Sequence, residues 1–311
     1  MQAKTISHPI ITSMQKRHFI LLDVLPFLGS LAAVAILWRT GLHAGDWVAF
    51  VVMWYVNVIG IEIGYHRYFT HGAFEAHRAF RALLAIFGSM GGQGPVVTWA
   101  STHRHHHNYS DTPQDTHSPY HRGGGLRGFI HAQLTWKWSY PYPNPSMYTP
   151  HLVHDEMIIT LSRYYYVWVI LGLALPGLIG GTIGGTWRSV GTGVLFGGVL
   201  RLFLVQQATF FINSLCHMIG FRTFDSKDQS RNIGWLSPLT LGGSLHNSHH
   251  AFPSTANNGL MWWQFDPGYW FLWVLARFGV VSNLRTMSKQ AVARRRRRSA
   301  PPAAAAEGPA E

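Results

Sequence analysis

The sequence predicts an all-α integral membrane protein, with four transmembrane helices in two hairpins and further helices capping one end. Three observations carry that expectation. Charged residues make up 12% of the 311 residues and hydrophobic ones 47%, about half the charged share of an ordinary soluble domain. Stretches 19–38, 48–65 and 165–185 are apolar over the ~20 residues a helix needs to cross a bilayer. A fourth, 190–212, is interrupted by glycines and Arg201 yet stays largely apolar. The turns 39–46 and 184–189 are short, so the first and last pairs form hairpins. A soluble bundle would need more charge to cover its outside. An aromatic share of 14% excludes a disordered chain.

Lysines and arginines orient the spans, because cytoplasmic loops carry the excess. Each hairpin turn holds one basic residue, Arg39 or Arg188, whereas Lys4, Lys16, Arg17, the middle segment and Arg294–Arg298 are basic. An even number of spans with both termini cytoplasmic satisfies this. No signal peptide is expected, since the first apolar run is too long and no small-residue cleavage site follows. Two stretches are too broken to span. Residues 80–97 contain Arg81 and a Gly-Gly-Gln-Gly-Pro interruption, and should lie at the interface or against the protein. Residues 268–281 are rich in Trp, Tyr and Phe, as interfacial anchors are. The chain reads as one domain over 1–293, followed by a basic, then Pro/Ala-rich disordered tail over 294–311. The arginine run suits anionic lipid headgroups. A nucleic-acid partner is not expected, since no basic, aromatic-bearing soluble domain accompanies the run.

Histidine is over-used, at 19 residues, and clustered. The groups are His66-x4-His71, His103-Arg-His-His106-His107, Asn213-Ser-Leu-Cys-His217 and His246-Asn-Ser-His249-His250. Spans two and four both end on the cytoplasmic side, so every group arrives at one membrane face. Residues three or four apart share a helix face, while adjacent ones diverge by about 100°. One of each adjacent pair can therefore serve one metal and its neighbour a second. Nine imidazoles (His66, His71, His103, His106, His107, His217, His246, His249, His250) exceed one tetrahedral zinc site and suit two ions of higher coordination number. Asn213 could hold a water on one of them. Imidazole accepts zinc, copper, iron and nickel alike. The single cysteine, Cys216, excludes an intramolecular disulfide and a cysteine-based zinc or iron–sulfur site. There is no HExxH zinc helix and no Glu-x-x-His pair of soluble di-iron bundles. A redox site without bridging carboxylates is left, for which iron is the best fit. His8, His18, His43, His77, His121, His131, His151 and His154 read as surface or packing residues; His105 and His117 adjoin the cluster without an assignment.

The order of these groups resembles the membrane fatty-acyl desaturases of the stearoyl-CoA desaturase type. The match extends to Tyr109-Ser110-Asp111-Thr112, Asp225, Gln229-Ser230-Arg231-Asn232 and Phe252-Pro253, covering about 61–253. The resemblance implies a di-iron enzyme without haem that uses O2 and two electrons to leave a cis double bond in a saturated acyl chain, expected at the delta-9 position. It implies that the nine histidines bind the irons and that Asn213 binds through a water. The chemistry agrees: an unactivated C–H bond has no acidic proton, so an oxidant and not a base must remove the hydrogens, while the protein holds the chain and excludes water. By ungapped counting, Gln93, Trp99, Trp136 and Thr209 match acyl-tunnel positions, and Trp54 matches the tunnel's far end, where bulk favours shorter chains.

Departures concern the acyl carrier. The animal enzymes have Arg-Asp before the second histidine group and Arg-Lys after the Trp136 position, both contacting coenzyme A; here Ser101-Thr102 and Tyr140-Pro141 stand there. Either Arg122, Arg127 or Lys137 substitutes, or the carrier is an acyl carrier protein or a membrane lipid. No His-Pro-Gly-Gly haem motif is present. Electrons are therefore expected from a separate protein, a ferredoxin, a rubredoxin-like protein or cytochrome b5 with its NAD(P)H reductase, docked on the basic cytoplasmic face. The expected location is a bacterial inner membrane. The competing readings are a membrane di-iron hydroxylase of alkanes or lipids and, from another class, a metal transporter or storage protein, which would set polar ligands at mid-membrane.

Overall fold

In the computed structural model, residues 4–296 are described. Each expected span is a helix: α1 (Pro9–Thr40), α2 (Ala44–Thr70), and, beyond the helices α3 (Arg78–Met90), α4 (Val96–Tyr109), α5 (Gly125–Gln133) and α6 (Glu156–Arg163), the spans α7 (Tyr165–Gly184) and α8 (Trp187–Met218). Three run past the hydropathy limits. The added turns carry polar groups, such as His66 on α2 and His217 on α8, so the helix continues where apolarity stops. Each of the three also contains a wider π-helical stretch, at Ile20–Val24, Ile59–Thr70 and Val194–Leu200.

Lipid-facing side chains on the spans are exposed and apolar, Leu31, Trp38, Ile170 and Leu178 among them. The inner contacts use small residues, as membrane helices do when packing must replace a hydrophobic driving force. α7 lies against α8 and α2, where Gly177 and Gly180 leave no room for a Cβ, and against α3, where Gly172 leaves none beside Met90. The start of α2 is fixed by Asp46, whose Oδ2 accepts from the His43 amide at 2.9 Å and whose Oδ1 accepts from Thr192 of α8 at 2.9 Å.

α3 packs against the π-helical end of α2 and so lies against the protein, one of the two places expected for it. The remaining cap is formed by α9 (His246–Ala251), α10 (Pro267–Arg277) and α11 (Lys289–Arg295). On α10, Trp270 and Trp273 are exposed, as interfacial anchors would be. Two small antiparallel pairs tie the ends of the chain to the cap. β1 (Thr5–Ile6) pairs with β3 (Tyr142–Pro143), Thr5 opposite Pro143 and Ile6 opposite Tyr142. β2 (Glu75–Ala76) pairs with β4 (Val281–Ser282).

Two expectations need correction. The tail was expected to begin at Arg294, but α11 runs through Arg295. Arg295 donates to the Ala251 carbonyl and lies 5.2 Å over the Phe252 ring, and Arg296 lies 5.8 Å over Trp263. Aromatic faces and a carbonyl one residue beyond His250 therefore hold the first arginines of the run. The rest of the tail, 297–311, lies outside the described residues. Lys137, named as a possible carrier contact, is half-buried: it pairs with Asp23 of α1 and sits 3.7 Å over the Phe210 ring, so its ammonium is already engaged inside the protein.

Candidate metal centre

The first histidine pair depends on the π-helix. Five residues along an α-helix turn by about 500°, so His66 and His71 would point apart. Here the His71 amide donates to the His66 carbonyl at 3.2 Å, the i to i+5 bond of a π-helix, and the two rings stand 5.0 Å apart. On α4, ordinary helical spacing suffices: His103 and His107 bring their Nε2 atoms to 3.0 Å, while His106 faces elsewhere. On α9, His246 and His250 do the same at 3.0 Å, and His249 faces the other way.

The result is two buried groups. His66, His71, His103, His107 and His249 form one, and His106, His217, His246 and His250 the other, with ligand atoms inside each lying within 4.8 Å of one another. All nine sequence-predicted imidazoles are brought together, and the adjacent pairs 106/107 and 249/250 split between the groups. Across segments, Nε2 of His249 lies 2.8 Å from that of His66 and 2.9 Å from that of His107. Nε2 of His246 lies 3.1 Å from that of His217. The Nε2 atoms of His71 and His106 are buried with no hydrogen-bond partner. Asn213 is half-buried on α8, one turn before His217.

Behind these rings stand carboxylates. Nδ1 of His106 donates to Asp115 at 2.9 Å, Nδ1 of His217 to Asp111 at 2.9 Å, and Nδ1 of His250 to Asp228 at 2.7 Å. Nδ1 of His66 lies 3.0 Å from Glu62 Oε2. In the first three pairs the carboxylate only accepts, so Nδ1 carries the proton and Nε2 turns its lone pair inward. This is the outer arrangement of metal-bound histidines. Glu62 is held in turn by buried Arg67 at 3.0 Å, which also grips Asp266 through two bonds of 3.0 Å.

Burial, and secondarily the neighbouring imidazoles, holds His71, His103, His107, His246 and His249 well below the ordinary histidine range. His250 is lowered to about 4 by burial, against the opposing pull of Asp228. Burial also acts to lower His106, but Asp115 outweighs it and the net shift is upward. Burial alone would raise the Asp115 and Asp228 carboxyls; the His106 and His250 rings hold both below the usual carboxylate range. Neutral rings with inward lone pairs are what a metal requires. The donor set therefore fits two imidazole-bound ions.

Sequence reasoning did not assign Glu62, Asp111, Asp115 or Asp228. A signal existed: with only 13 acidic residues in the chain, carboxylates near the histidine groups should be at work there, and Glu62 precedes His66 by one helical turn. His117 stacks on His106 at 4.4 Å and lies close enough to Asp115 to form a third potential ligand group with His106. His105 packs instead beside Tyr109 and Tyr148.

The expected tunnel residues divide. Trp99 stacks on His103 at 4.9 Å, and buried Trp136 lies 5.1 Å from His117. Thr209 lies on α8, its hydroxyl donating to the Val205 carbonyl at 3.0 Å. Gln93, in the loop before α4, has a buried Nε2 without a partner. Trp54, twelve residues before His66 on α2, donates to the Leu239 carbonyl at 3.1 Å and stacks on Phe50 at 5.9 Å. The positions where carrier charges were missing are turned inward. Ser101 bonds Thr149 at 2.8 Å and Val97, and Thr102 bonds Thr98.

Comparison with known proteins agrees with this centre. The family model described as "Fatty acid desaturase" matches residues 44–281. A hex-5-enoyl-[acyl-carrier protein] acetylenase of Moorena producens (strain JHB) is 42% identical over 91% of this chain and 90% of its own. An sn-1 stearoyl-lipid 9-desaturase of Anabaena variabilis is 32% identical over 78% of this chain and 85% of its own. A probable acyl-CoA desaturase of Schizosaccharomyces pombe is 32% identical over 79% of this chain and 50% of its own. With four membrane-length helices and imidazole groups gathered at the ends of two of them, the chain belongs to the fatty acid desaturase family, as an integral membrane enzyme acting on fatty acyl chains.

Proposed function

We propose that this enzyme uses two iron ions and O2 to take two hydrogens from a saturated acyl chain, leaving a cis double bond at the delta-9 position. O2 takes up those two hydrogens together with two external electrons and two protons, and is reduced to two waters. The observation that carries the metal part is the gathering of nine imidazoles into two groups, with Nε2 atoms facing one another at 2.8–3.1 Å, a donor set that suits an ion between the rings. His66, His71, His103, His107 and His249 would hold one ion. His106, His217, His246 and His250 would hold the other, with Asn213 reaching it through a water. When bound, the ions supply the oxidising chemistry with O2. The chain's own part is to fix ring tautomers through carboxylates, to keep His71, His103, His107, His246, His249 and His250 neutral by burial, and to present Trp99 as a flat wall beside His103 with Trp136 beyond it against His117. Gln93 and Thr209 continue that path, and Trp54 closes its far end.

The nine imidazoles and both termini lie on the cytoplasmic side of a bacterial inner membrane in this reading, and the chain acts as one domain that α11 carries through Arg295 before the tail. Electrons come from a separate ferredoxin, rubredoxin-like protein or cytochrome b5. The carrier is an acyl carrier protein, a membrane lipid or coenzyme A; the internal bonds of Ser101, Thr102 and Lys137 favour the first two, while exposed Arg127 would have to serve the third. A second reading is favoured by the 42% relative and by the bulk of Trp54. In it, a short acyl chain on a carrier protein is taken from a double to a triple bond. Expression in a host lacking such unsaturation, with mass-spectrometric location of new double or triple bonds in lipid and carrier fractions, separates the two. New alcohols in place of unsaturation would overturn both.

A further inference from the structure

We propose that the two metal positions differ in potential, the four-imidazole position being the one that stabilises the oxidised ion. The proposal rests on the di-iron reading above and deepens it. Three of the four rings in that group, His106, His217 and His250, donate from Nδ1 to a carboxylate. The other partners of those carboxylates are neutral. Asp111 accepts from Ser118 at 2.7 Å and the Gln229 amide at 2.7 Å, and Asp115 from the amides of Asp111 at 3.0 Å and His117 at 3.3 Å. Asp228 accepts from the Ser230 amide at 2.9 Å and Ser226 at 2.9 Å. Arg222 bonds the Asp228 backbone carbonyl and leaves its carboxylate alone. Three carboxylates thus back this position with no lysine or arginine among their described contacts; beyond the three ligand rings, the one other ring beside them is His117, whose Nδ1 lies 3.7 Å from Asp115 Oδ1.

The five-imidazole position is built differently. Of its rings only His66 meets a carboxylate, Glu62, and that carboxylate is ion-paired with Arg67, which Asp266 shares. Arg104 adds a second guanidinium, bonded to the Thr70 carbonyl beside His71. Two carboxylates therefore meet two guanidiniums on this side. A carboxylate behind an imidazole raises its basicity as a ligand, and in a buried site an unbalanced negative charge acts strongly on the charge of the ion. Loss of one electron raises the ion's charge, so the side with three unbalanced carboxylates favours it.

The test uses the full chain, purified anaerobically and loaded with two 57Fe(II) ions. Ferricyanide removes one electron from one ferrous ion and becomes ferrocyanide, and Mössbauer spectra read ferric and ferrous ions separately. Two one-electron steps are expected, at least tenfold apart in equilibrium constant, or 59 mV. Asp228→Asn and, independently, Asp115→Asn should each make the first oxidation at least tenfold less favourable and alter the ferric signal. Glu62→Gln should leave that step within threefold. Equal shifts in all three variants, or two irons oxidised in a single step, would overturn the assignment alone. So would aspartate variants that lose iron while the remaining ions keep their potentials, since that is the mark of a merely structural role. A chain that never binds a second iron would overturn the di-iron reading itself, and this assignment with it.

Discussion

At the scale of single residues, the imidazole groups make the sharpest demands. His249 faces both His66 and His107 within 2.9 Å, so its ring is the hub of the five-imidazole group. His249→Ala should abolish product and lower bound iron by about one ion per chain, as read by metal analysis of purified protein; full activity would remove His249 from the ligand set. His106→Ala should likewise abolish product. Trp54 is fixed at both ends, by its hydrogen bond to Leu239 and its stacking on Phe50, so its bulk is held in one place. Trp54→Ala should move the product profile toward longer chains, read by mass spectrometry of total acyl groups. An unchanged chain-length profile would remove its role as a stop.

At the scale of elements, the π-helical end of α2 is what converts a five-residue histidine spacing into a convergent pair. It can do so only because α3 packs against it at very short range. A Cβ at Gly60 would stand 2.0 Å from the Gly88 amide nitrogen, and one at Gly88 would strike the Tyr65 ring. Gly60→Val should therefore push α3 away, at a cost of at least the 1–3 kcal/mol typical of overpacking. It should displace Glu62 and His66 with it. Lower expression and iron content together are expected, and a Gly60→Val protein with full iron would contradict the close packing. This element also marks the limit of what the sequence discloses. Histidines at three- and four-residue spacing on α4 and α9 were legible because an ordinary helix repeats every 3.6 residues. The His66/His71 pairing was not, because nothing in the local composition announces a switch to i, i+5 bonding. Nor was the length of α8, because hydropathy fades at Ile212 while the helix runs on to Met218. The partners of the rings were only half legible: Asp111 stood inside the quoted match, but Asp228 is 22 residues from His250 and meets it only through the fold.

At the scale of the whole molecule, two internal polar devices bind elements that lipid alone would not hold together. One lies within the membrane. Arg201, read from sequence as an interruption of the fourth span, is fully buried. It donates to the Gly197 carbonyl at 2.8 Å, the Gly172 carbonyl at 2.6 Å and Asn57, joining α8 to α7 and α2. Asn57→Leu leaves that guanidinium an acceptor short and should cost about 1.5–3 kcal/mol, measured as a lowered thermal midpoint in detergent. The other device is the imidazole centre. Its rings come from α2 in the first hairpin, α8 in the second, α4 between them and α9 after them, so a bound ion clips together four segments far apart in sequence. Without an ion, each close Nε2 pair at 2.8–3.1 Å is joined by at most one N–H···N bond, a weaker tie between segments than a shared ion. An ion that binds only the folded chain stabilises it by about 2.7 kcal/mol when present at a hundredfold over its dissociation constant. Chelation should therefore lower the thermal midpoint and increase proteolysis of the cap, and ferrous iron should restore both. His249→Ala should show a smaller difference between loaded and chelated protein, because one of the two clips is already broken. A midpoint indifferent to chelation in the unaltered chain would mean that the four segments are held by packing alone.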